Sequence, residues 1–181
     1  MESEKKRTAV SKGIAWTKGP IPGSISSVFR LALIFLALLT TLPAAELTVA
    51  SFNIRLAARA DLGTRSWKAR RDLVVETIRK MDPDLFGVQE ALPQQMDYLT
   101  RELPGYQKFG VGRDDGKNRG EYSALFIRSE RLTRDEAEGG TFWLSGTPET
   151  AGSKSWGNQV TRICTWARLV DRKTGKGFYF Y

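Results

Sequence analysis

The sequence contains no histidine, a single cysteine and no apolar run of conventional membrane-spanning length. Because only Cys164 is present, no structural disulfide can support the fold. Cys164 lies in the apolar run of residues 160–170, which favours a buried, unreactive thiol. A nucleophilic role for this cysteine is not indicated, because the histidine that usually activates such a thiol is missing.

The longest apolar segment lies near the amino terminus. Residues 31–45 are uncharged, follow Arg30 and end in small residues, which is typical of a secretory signal peptide. This segment is shorter than the roughly 20 residues that a transmembrane helix needs. We therefore predict that residues 1–45 are a leader and signal peptide, cleaved near Ala45, and that the protein is exported to the periplasm or secreted. The alternatives are a retained membrane anchor, which would be the only membrane contact, and a buried core helix.

The charge of the chain is unevenly distributed. The sequence has 28 basic and 20 acidic residues. Residues 1–30 contain six of the basic and two of the acidic residues, so the rest of the chain contains 22 basic and 18 acidic residues. A domain with that balance is only mildly basic, which permits a polyanionic partner without requiring one. The hydrophobic content of 41% and the charged content of 27% are typical of a globular domain. We predict one such domain over residues 46–181.

The hydrophobic pattern of this region predicts an α/β domain that begins with a strand, a helix and a strand. Residues 47–53 and 84–90 are short apolar segments, and apolar side chains recur at helical spacing over residues 67–81. Ser66 is a plausible amino-terminal cap of that helix, and Asp82 precedes a proline that would end it. We expect the two strands to be neighbours in one sheet.

The remaining residues are predicted to be mainly β-structure after one more helix at residues 94–103. The predicted strands are residues 106–109, 122–128, 141–144, 159–170 and 176–181. Polar segments that contain glycine are predicted to be loops, namely residues 59–65, 112–120 and 145–155.

Polar residues end the first two predicted strands. Asn53 ends the first strand and Glu90 ends the second. Mg²⁺ prefers one or two carboxylates together with water and phosphate oxygens, so a glutamate at a strand end suits this ion. We predict Glu90 as a metal ligand and Asn53 as a residue that orients a phosphate or a catalytic group. On position alone, a solvated glutamate and an ordinary turn residue stay open as alternatives.

Several segments, in order along the chain, resemble the endonuclease/exonuclease/phosphatase superfamily, and most closely its exported bacterial branch. These segments are residues 49–53 (VASFN), Trp67 with residues 70–71 (RR), and residues 83–90 (PDLFGVQE), 120–128 (GEYSALFIR), 141–148 (TFWLSGTP), 153–156 (SKSW) and 162–166 (RICTW). The resemblance covers about residues 47–181. It implies a four-layer α/β sandwich, the deoxyribonuclease I-like fold, and hydrolysis of phosphate esters with Mg²⁺ or Mn²⁺.

The resemblance also implies roles for individual residues. Asn53 would orient the phosphate or catalytic groups, and Glu90 would bind the metal. Glu121 would lie beside the site and hold a catalytic histidine, and Arg162 would face the substrate phosphate. The substrate class stays open between nucleic acid and a small phosphorylated molecule, because a fold does not determine a substrate.

One departure from the family concerns the end of the sequence. In relatives, the segment after a strand like residues 177–181 supplies the active-site histidine, and this sequence contains no histidine. We therefore expect an incomplete domain, truncated at the carboxyl end, that is inactive and poorly stable because an apolar edge strand is left unpaired. The alternatives are a non-catalytic binding or anchoring module and one half of a split enzyme completed by another chain.

Overall fold

Two β-sheets and two helices make up the computed structural model, which describes residues 46–181. The strands are β1 (Val49–Asn53), β2 (Leu85–Ala91), β3 (Tyr106–Phe109), β4 (Tyr122–Arg128), β5 (Leu132–Trp143), β6 (Ile163–Asp171) and β7 (Gly177–Phe180), and the helices are α1 (Trp67–Met81) and α2 (Pro93–Glu102). Sheet A has the strand order β1-β2-β4-β3, and sheet B has the order β5-β6-β7. The predicted leader and signal peptide lie outside the described residues. Among residues 46–181, neither helix has the length and apolar character needed to cross a membrane.

The predicted strand–helix–strand unit is present at the start of sheet A. β1 and β2 pair in parallel, with Asn53 opposite Gln89. The Ser66 hydroxyl accepts a hydrogen bond from the amide of Ala69 and so caps α1, as predicted. The helix ends at Met81, and the capping residue that follows it, Asp82, has the left-handed φ of 45°. The unit therefore places the ends of β1 and β2 side by side.

Alternation of side chains along β2 separates two apolar cores. Phe86 and Val88 point towards the helices and pack with buried residues of α1 and α2. Leu85 points to the opposite side, where it packs with Ala167 and Leu169 of sheet B. The layers are therefore helices, sheet A and sheet B, so three layers of the predicted sandwich are present in residues 46–181.

The outer face of sheet B carries no helix within the described residues, since both helices pack on sheet A. Trp166 lies on this outer face, and its ring is 6.1 Å from the rings of both Tyr179 and Tyr181. β7 forms one edge of sheet B. The aromatic edge strand expected from the sequence is thus present, and Tyr181 is 67% exposed.

Most predicted strands agree with the structure to within one or two residues at their ends, and two differ by more. β5 begins at Leu132 instead of residue 141, and β6 begins at Ile163 instead of residue 159. The early part of β5 is rich in charged residues and ends in two glycines, so its strand propensity is low. Its pairing with β6 compensates, although the register shifts between Arg134 and Gly139.

Smaller differences concern single residues. α2 begins at Pro93, one residue before the predicted start, because proline is favoured in the first turn of a helix. Residues 63–65 form a 3₁₀ turn inside the predicted loop. Met81, predicted for the apolar face of α1, is exposed. Cys164 is half-buried instead of fully buried, and burial still raises the pKa of its thiol, which fits the predicted low reactivity.

Candidate functional site

Asn53 and Glu90 contact each other where β1 and β2 end. The Asn53 Nδ2 atom donates a hydrogen bond of 2.9 Å to Glu90 Oε1, and Asn53 Oδ1 accepts one of 2.9 Å from the Arg55 amide. The second carboxylate oxygen, Glu90 Oε2, accepts from the Leu56 amide at 3.2 Å. The bond from Asn53 is the main cause that lowers the pKa of Glu90, against the opposing effect of burial. Glu90 is therefore a carboxylate at neutral pH.

A β-bulge determines where the Glu90 side chain points. Between the pairs Val88–Ala124 and Ala91–Tyr122, β2 contains one residue more than β4. Glu90 lies in this bulge and has a φ of 61°, a left-handed conformation that is unfavourable for a residue with a Cβ atom. Bulges of this kind reorient a side chain next to a site. The pattern of residues along β2 does not indicate the bulge.

A cleft of about 200 Å³ opens beside Glu90. It is bounded by sheet A and by the residues that lead into β6. The lining residues are Asn53, Gln89, Glu90, Arg113, Glu121, Tyr122, Ser123, Thr161, Arg162 and Ile163. All four residues predicted from the sequence line this cleft, whereas the roles assigned to them stay predictions.

Arg113 is a cleft residue that the sequence pattern does not reveal. Its two terminal nitrogens donate to the two carboxylate oxygens of Glu121 at 2.9 Å and 2.8 Å, the paired geometry typical of a strong charge-assisted contact. The side chains are only 16% and 20% exposed. Within residues 46–181, the negative charge of Glu121 is therefore balanced by the positive charge of Arg113. Because Arg113 lies in a segment predicted to be a polar loop, no periodic signal distinguishes it.

Arg162 is exposed at the opposite wall of the cleft. Within residues 46–181, its guanidinium has no hydrogen bond or ion pair to another side chain. The cleft thus contains one carboxylate fixed by hydrogen bonds, one neutralised pair formed by Arg113 and Glu121, and one cation whose donors face solvent. Such a site favours an anion that can also ligate a metal.

The loop that follows β1 is held by the side chain of Arg70. This guanidinium donates to the carbonyl oxygens of Ile54, Arg55 at 2.6 Å, Leu56 at 3.2 Å and Arg65 at 3.0 Å. Arg70 belongs to a segment that carries the family resemblance, but the sequence suggests no role for it.

Gln95 of α2 supports the same loop from a fully buried position. Its Oε1 atom accepts from the amides of Ala57 at 2.8 Å and Leu92 at 3.1 Å, and its Nε2 atom donates to the Arg55 carbonyl at 2.9 Å. The Arg55 side chain forms a bidentate pair with the buried Asp61, and this contact lowers the pKa of Asp61. The loop beside Glu90 is therefore highly constrained.

The residues at the end of β2 fit a Mg²⁺ or Mn²⁺ ion that retains much of its water. Glu90 supplies an ionised carboxylate, and the cleft beside it has room for water and for phosphate oxygens. Mg²⁺ sites of this kind use one or two carboxylates, and the same oxygen ligands suit Mn²⁺. Residues 46–181 contain no cluster of three or more acidic or cysteine side chains that would form a closed cage. Glu90 would be the direct ligand, with Asn53 orienting it.

Comparison with known proteins places these features in a family. No family model matches the chain, and no curated protein matches it. An endonuclease/exonuclease/phosphatase from Bacteroides vulgatus is 39% identical, with a TM-score of 0.70 over 74% of this chain and 50% of that protein. This chain is related to the endonuclease/exonuclease/phosphatase family. The mannosyl-6-phosphatase Bt3783 of Bacteroides thetaiotaomicron is 41% identical, with a TM-score of 0.69 over 75% of this chain and 50% of that protein.

The predicted fold class and the resemblance to the endonuclease/exonuclease/phosphatase superfamily are thereby confirmed, whereas its exported branch stays a prediction. More distant family structures agree at the level of the fold alone, such as TDP2 of D. rerio, which is 17% identical with a TM-score of 0.52 over 75% of this chain. The chain spans about half the length of the endonuclease/exonuclease/phosphatase structures that it matches.

Proposed function

We propose that the cleft binds a phosphate ester through a divalent metal ion at Glu90 and through the guanidinium of Arg162, as part of a metal-dependent phosphoesterase site. The observation that carries this proposal is the shared cleft: an ionised glutamate, fixed by two hydrogen bonds, lines the same 200 Å³ space as an exposed arginine. Phosphate esters offer both the oxygen that a metal prefers and the negative charge that an arginine binds.

Each residue has a separate task in this proposal. Glu90 holds the metal, and Asn53 keeps the Glu90 carboxylate in one orientation by the 2.9 Å hydrogen bond. Arg162 donates N–H groups to the phosphate and offsets negative charge that develops on it. A bound metal would polarise a phosphoryl oxygen. Arg113 holds Glu121 in place on the cleft wall through two hydrogen bonds.

The groups that could activate water are restricted in this chain. The sequence has no histidine, and both oxygens of Glu121 are engaged by Arg113. We propose that the isolated chain binds metal and phosphate but hydrolyses phosphate esters poorly, because general-base catalysis needs a free acceptor near the attacking water. Two alternative functions are a non-catalytic binding module and one half of an enzyme completed by another chain. Both would use the same binding residues.

A small sugar phosphate is the first substrate class to test. Bt3783, at 41% identity over 75% of this chain, is described as a mannosyl-6-phosphatase. TDP2 of D. rerio was solved with a single-stranded DNA product, but its 17% identity supports only the fold. Because the described domain is mildly basic, its charge does not favour nucleic acid over a monoester.

The metal site is tested by titrating the chain with Mn²⁺ and following free Mn²⁺ by electron paramagnetic resonance. We expect the wild-type chain to bind one ion and Glu90→Gln to bind at least about 10-fold more weakly, because a ligand carboxylate is lost. Glu76→Gln is the matched control, since Glu76 is exposed on α1 and lies outside the cleft. Equal affinity in wild type and Glu90→Gln would refute the assignment.

Hydrolysis is tested with three substrates: mannose 6-phosphate, bis(p-nitrophenyl) phosphate and a single-stranded DNA oligonucleotide. We expect slow or undetectable release of product from the isolated chain with Mg²⁺, and binding of mannose 6-phosphate that depends on the metal. Rapid metal-dependent hydrolysis of any of the three by the purified chain would contradict the proposed weak activity and would identify the substrate class directly.

We also propose that the protein is exported, on the basis of the signal-like segment of residues 31–45. Amino-terminal sequencing of the mature protein is expected to begin near Glu46. A mature protein that retains residues 31–45 in the membrane fraction would support the anchored alternative instead.

A further inference from the structure

We propose that Arg70 is a positioning residue of the metal site, which holds the loop after β1 so that the Leu56 amide supports the Glu90 carboxylate. This inference rests on the proposed function, because it takes Glu90 as the metal ligand. Arg70 is not among the residues that line the cleft, so in this proposal it acts only through the loop.

Arg70 binds the loop through several carbonyl groups at once. Its guanidinium reaches the carbonyl oxygens of three successive residues, Ile54, Arg55 and Leu56, and also that of Arg65. This segment follows β1 and is not regular secondary structure, so its carbonyl groups need donors from elsewhere. Arginine has five N–H donors in a rigid plane, whereas lysine has three on a single atom, so lysine cannot reproduce these contacts.

Two backbone amides connect the loop to the site. The Arg55 amide donates to Asn53 Oδ1 at 2.9 Å, and the Leu56 amide donates to Glu90 Oε2 at 3.2 Å. The carbonyl groups held by Arg70 belong to the same residues that present these amides to the site. The Glu90 carboxylate is thus fixed at one oxygen by Asn53 and at the other by a peptide that Arg70 holds in place.

The backbone of the loop is strained at Arg55. Arg55 has a φ of 56°, a left-handed conformation that is unfavourable for a residue other than glycine. Strained backbone persists only where its surroundings fix it. Arg70 and the buried Gln95 both donate to the Arg55 carbonyl and supply that constraint. Without Arg70, the loop is expected to relax and to withdraw the Leu56 amide from Glu90.

A purely structural role predicts a different outcome. Arg70 also lies over the Trp67 ring, at 5.2 Å from its centroid, and could simply stabilise α1. In that case, its replacement would lower the melting temperature without changing metal affinity in the folded protein. Metal affinity measured well below the melting temperature therefore distinguishes positioning from general stabilisation.

The test uses the full chain and Mn²⁺ as the probe. We expect Arg70→Lys to weaken Mn²⁺ binding about 10- to 100-fold while circular dichroism shows a native fold, as is usual when support of a ligand is lost. Arg79→Lys is the matched control, because Arg79 lies on the same helix and donates to the Glu102 carbonyl at 2.8 Å, away from the cleft. Wild-type affinity in Arg70→Lys, or an equal loss in Arg79→Lys, would overturn the proposal.

If Arg70→Lys does not fold, amide hydrogen exchange in the wild-type chain tests whether the loop is held in place. The Leu56 amide is expected to exchange slowly, and more slowly still with Mg²⁺, whereas the amide of the exposed Arg59 is expected to exchange fast. Equally fast exchange at both residues would overturn the proposal. Glu90→Gln distinguishes failure of the proposed function from failure of the role of Arg70. Retained Mn²⁺ affinity in Glu90→Gln contradicts the proposed function. Loss of affinity in Glu90→Gln with wild-type affinity in Arg70→Lys contradicts the role of Arg70 alone.

Discussion

Asn53 Nδ2 lies 2.9 Å from Glu90 Oε1, although the two residues are 37 positions apart in the sequence. The parallel pairing of β1 with β2 brings their ends together, and the bulge in β2 turns Glu90 towards Asn53. Because Asn53 Oδ1 already accepts the Arg55 amide, the carboxamide can present only N–H to Glu90. This contact therefore favours the ionised form of the glutamate.

Replacement of Asn53 by alanine is expected to raise the pKa of Glu90. The hydrogen bond from Asn53 is the main cause that lowers this pKa, so its loss moves the pKa towards the ordinary value for glutamate. In the wild type, the lowered pKa contributes stability above the unfolded-state pKa, and this contribution is lost as the pH falls through the folded-state pKa. Asn53→Ala should lose less stability over that acidic range. Carbon-13 NMR of labelled glutamate measures the shift, and Asn158→Ala, on an exposed loop, should leave it unchanged.

Replacement of Glu90 by glycine and by alanine is expected to separate strain from function. Both variants remove the carboxylate and should lose Mn²⁺ binding to the same extent. Glycine accepts the φ of 61° without a Cβ clash, so Glu90→Gly should be more stable than Glu90→Ala by about 1 kcal/mol. Urea denaturation of the two variants measures the difference. Equal stability would show that the left-handed conformation at this position is not costly.

The local patterns in the sequence were sufficient for the first strand–helix–strand unit. Ser66 and Asp82 mark the ends of α1 by their own chemistry, and apolar segments mark β1 and β2. The resemblance to a family extended this to four residues, Asn53, Glu90, Glu121 and Arg162, that share one cleft.

Contacts between distant residues account for what the sequence did not reveal. Gln95 lies 38 residues from Ala57, so no window of residues indicates that its side chain holds the loop beside Glu90. The bulge at Glu90 depends on the register between β2 and β4. The early part of β5 is a strand because it pairs with β6. Nothing in the local sequence distinguishes Arg113 from other loop arginines, because its contact with Glu121 forms only in the folded chain.

The buried pair of Arg131 and Asp171 is expected to matter for stability, far from the cleft. Arg131 is 5% exposed and Asp171 4% exposed, and the two form an ion pair between the start of β5 and the end of β6. Arg131→Met leaves a buried carboxylate without its cation, which should cost about 3–5 kcal/mol in the free energy of unfolding.

The double variant Arg131→Met with Asp171→Asn is expected to recover most of that loss, because no buried charge is left unpaired. Urea denaturation measures both variants, and Arg172→Met, at an exposed neighbouring position, is the control. A double variant as unstable as Arg131→Met alone would show that lost packing, and not the unpaired charge, causes the effect.

The two arginines of the cleft are expected to respond differently to inorganic phosphate. Arg162 has no side-chain partner among the described residues, whereas both terminal nitrogens of Arg113 are engaged by Glu121. Arg162→Gln should therefore weaken phosphate binding in the presence of Mg²⁺ about 10-fold, because a charge-assisted contact to the anion is lost. Arg113→Gln removes the cation that neutralises Glu121, so the cleft becomes more negative and phosphate binding weakens through repulsion.

A compensating substitution, measured at two salt concentrations, distinguishes loss of a direct contact from charge repulsion. The double variant Arg113→Gln with Glu121→Gln restores the net charge of the wall and should regain most of the phosphate affinity, since a neutral amide pair replaces a neutral ion pair. No change at Glu121 should rescue Arg162→Gln, because that variant lacks the contact itself. Isothermal titration calorimetry with inorganic phosphate at two salt concentrations measures all four variants. Rescue of Arg162→Gln by Glu121→Gln would show that Arg162 acts only through the overall charge of the cleft, and not as the residue that contacts phosphate.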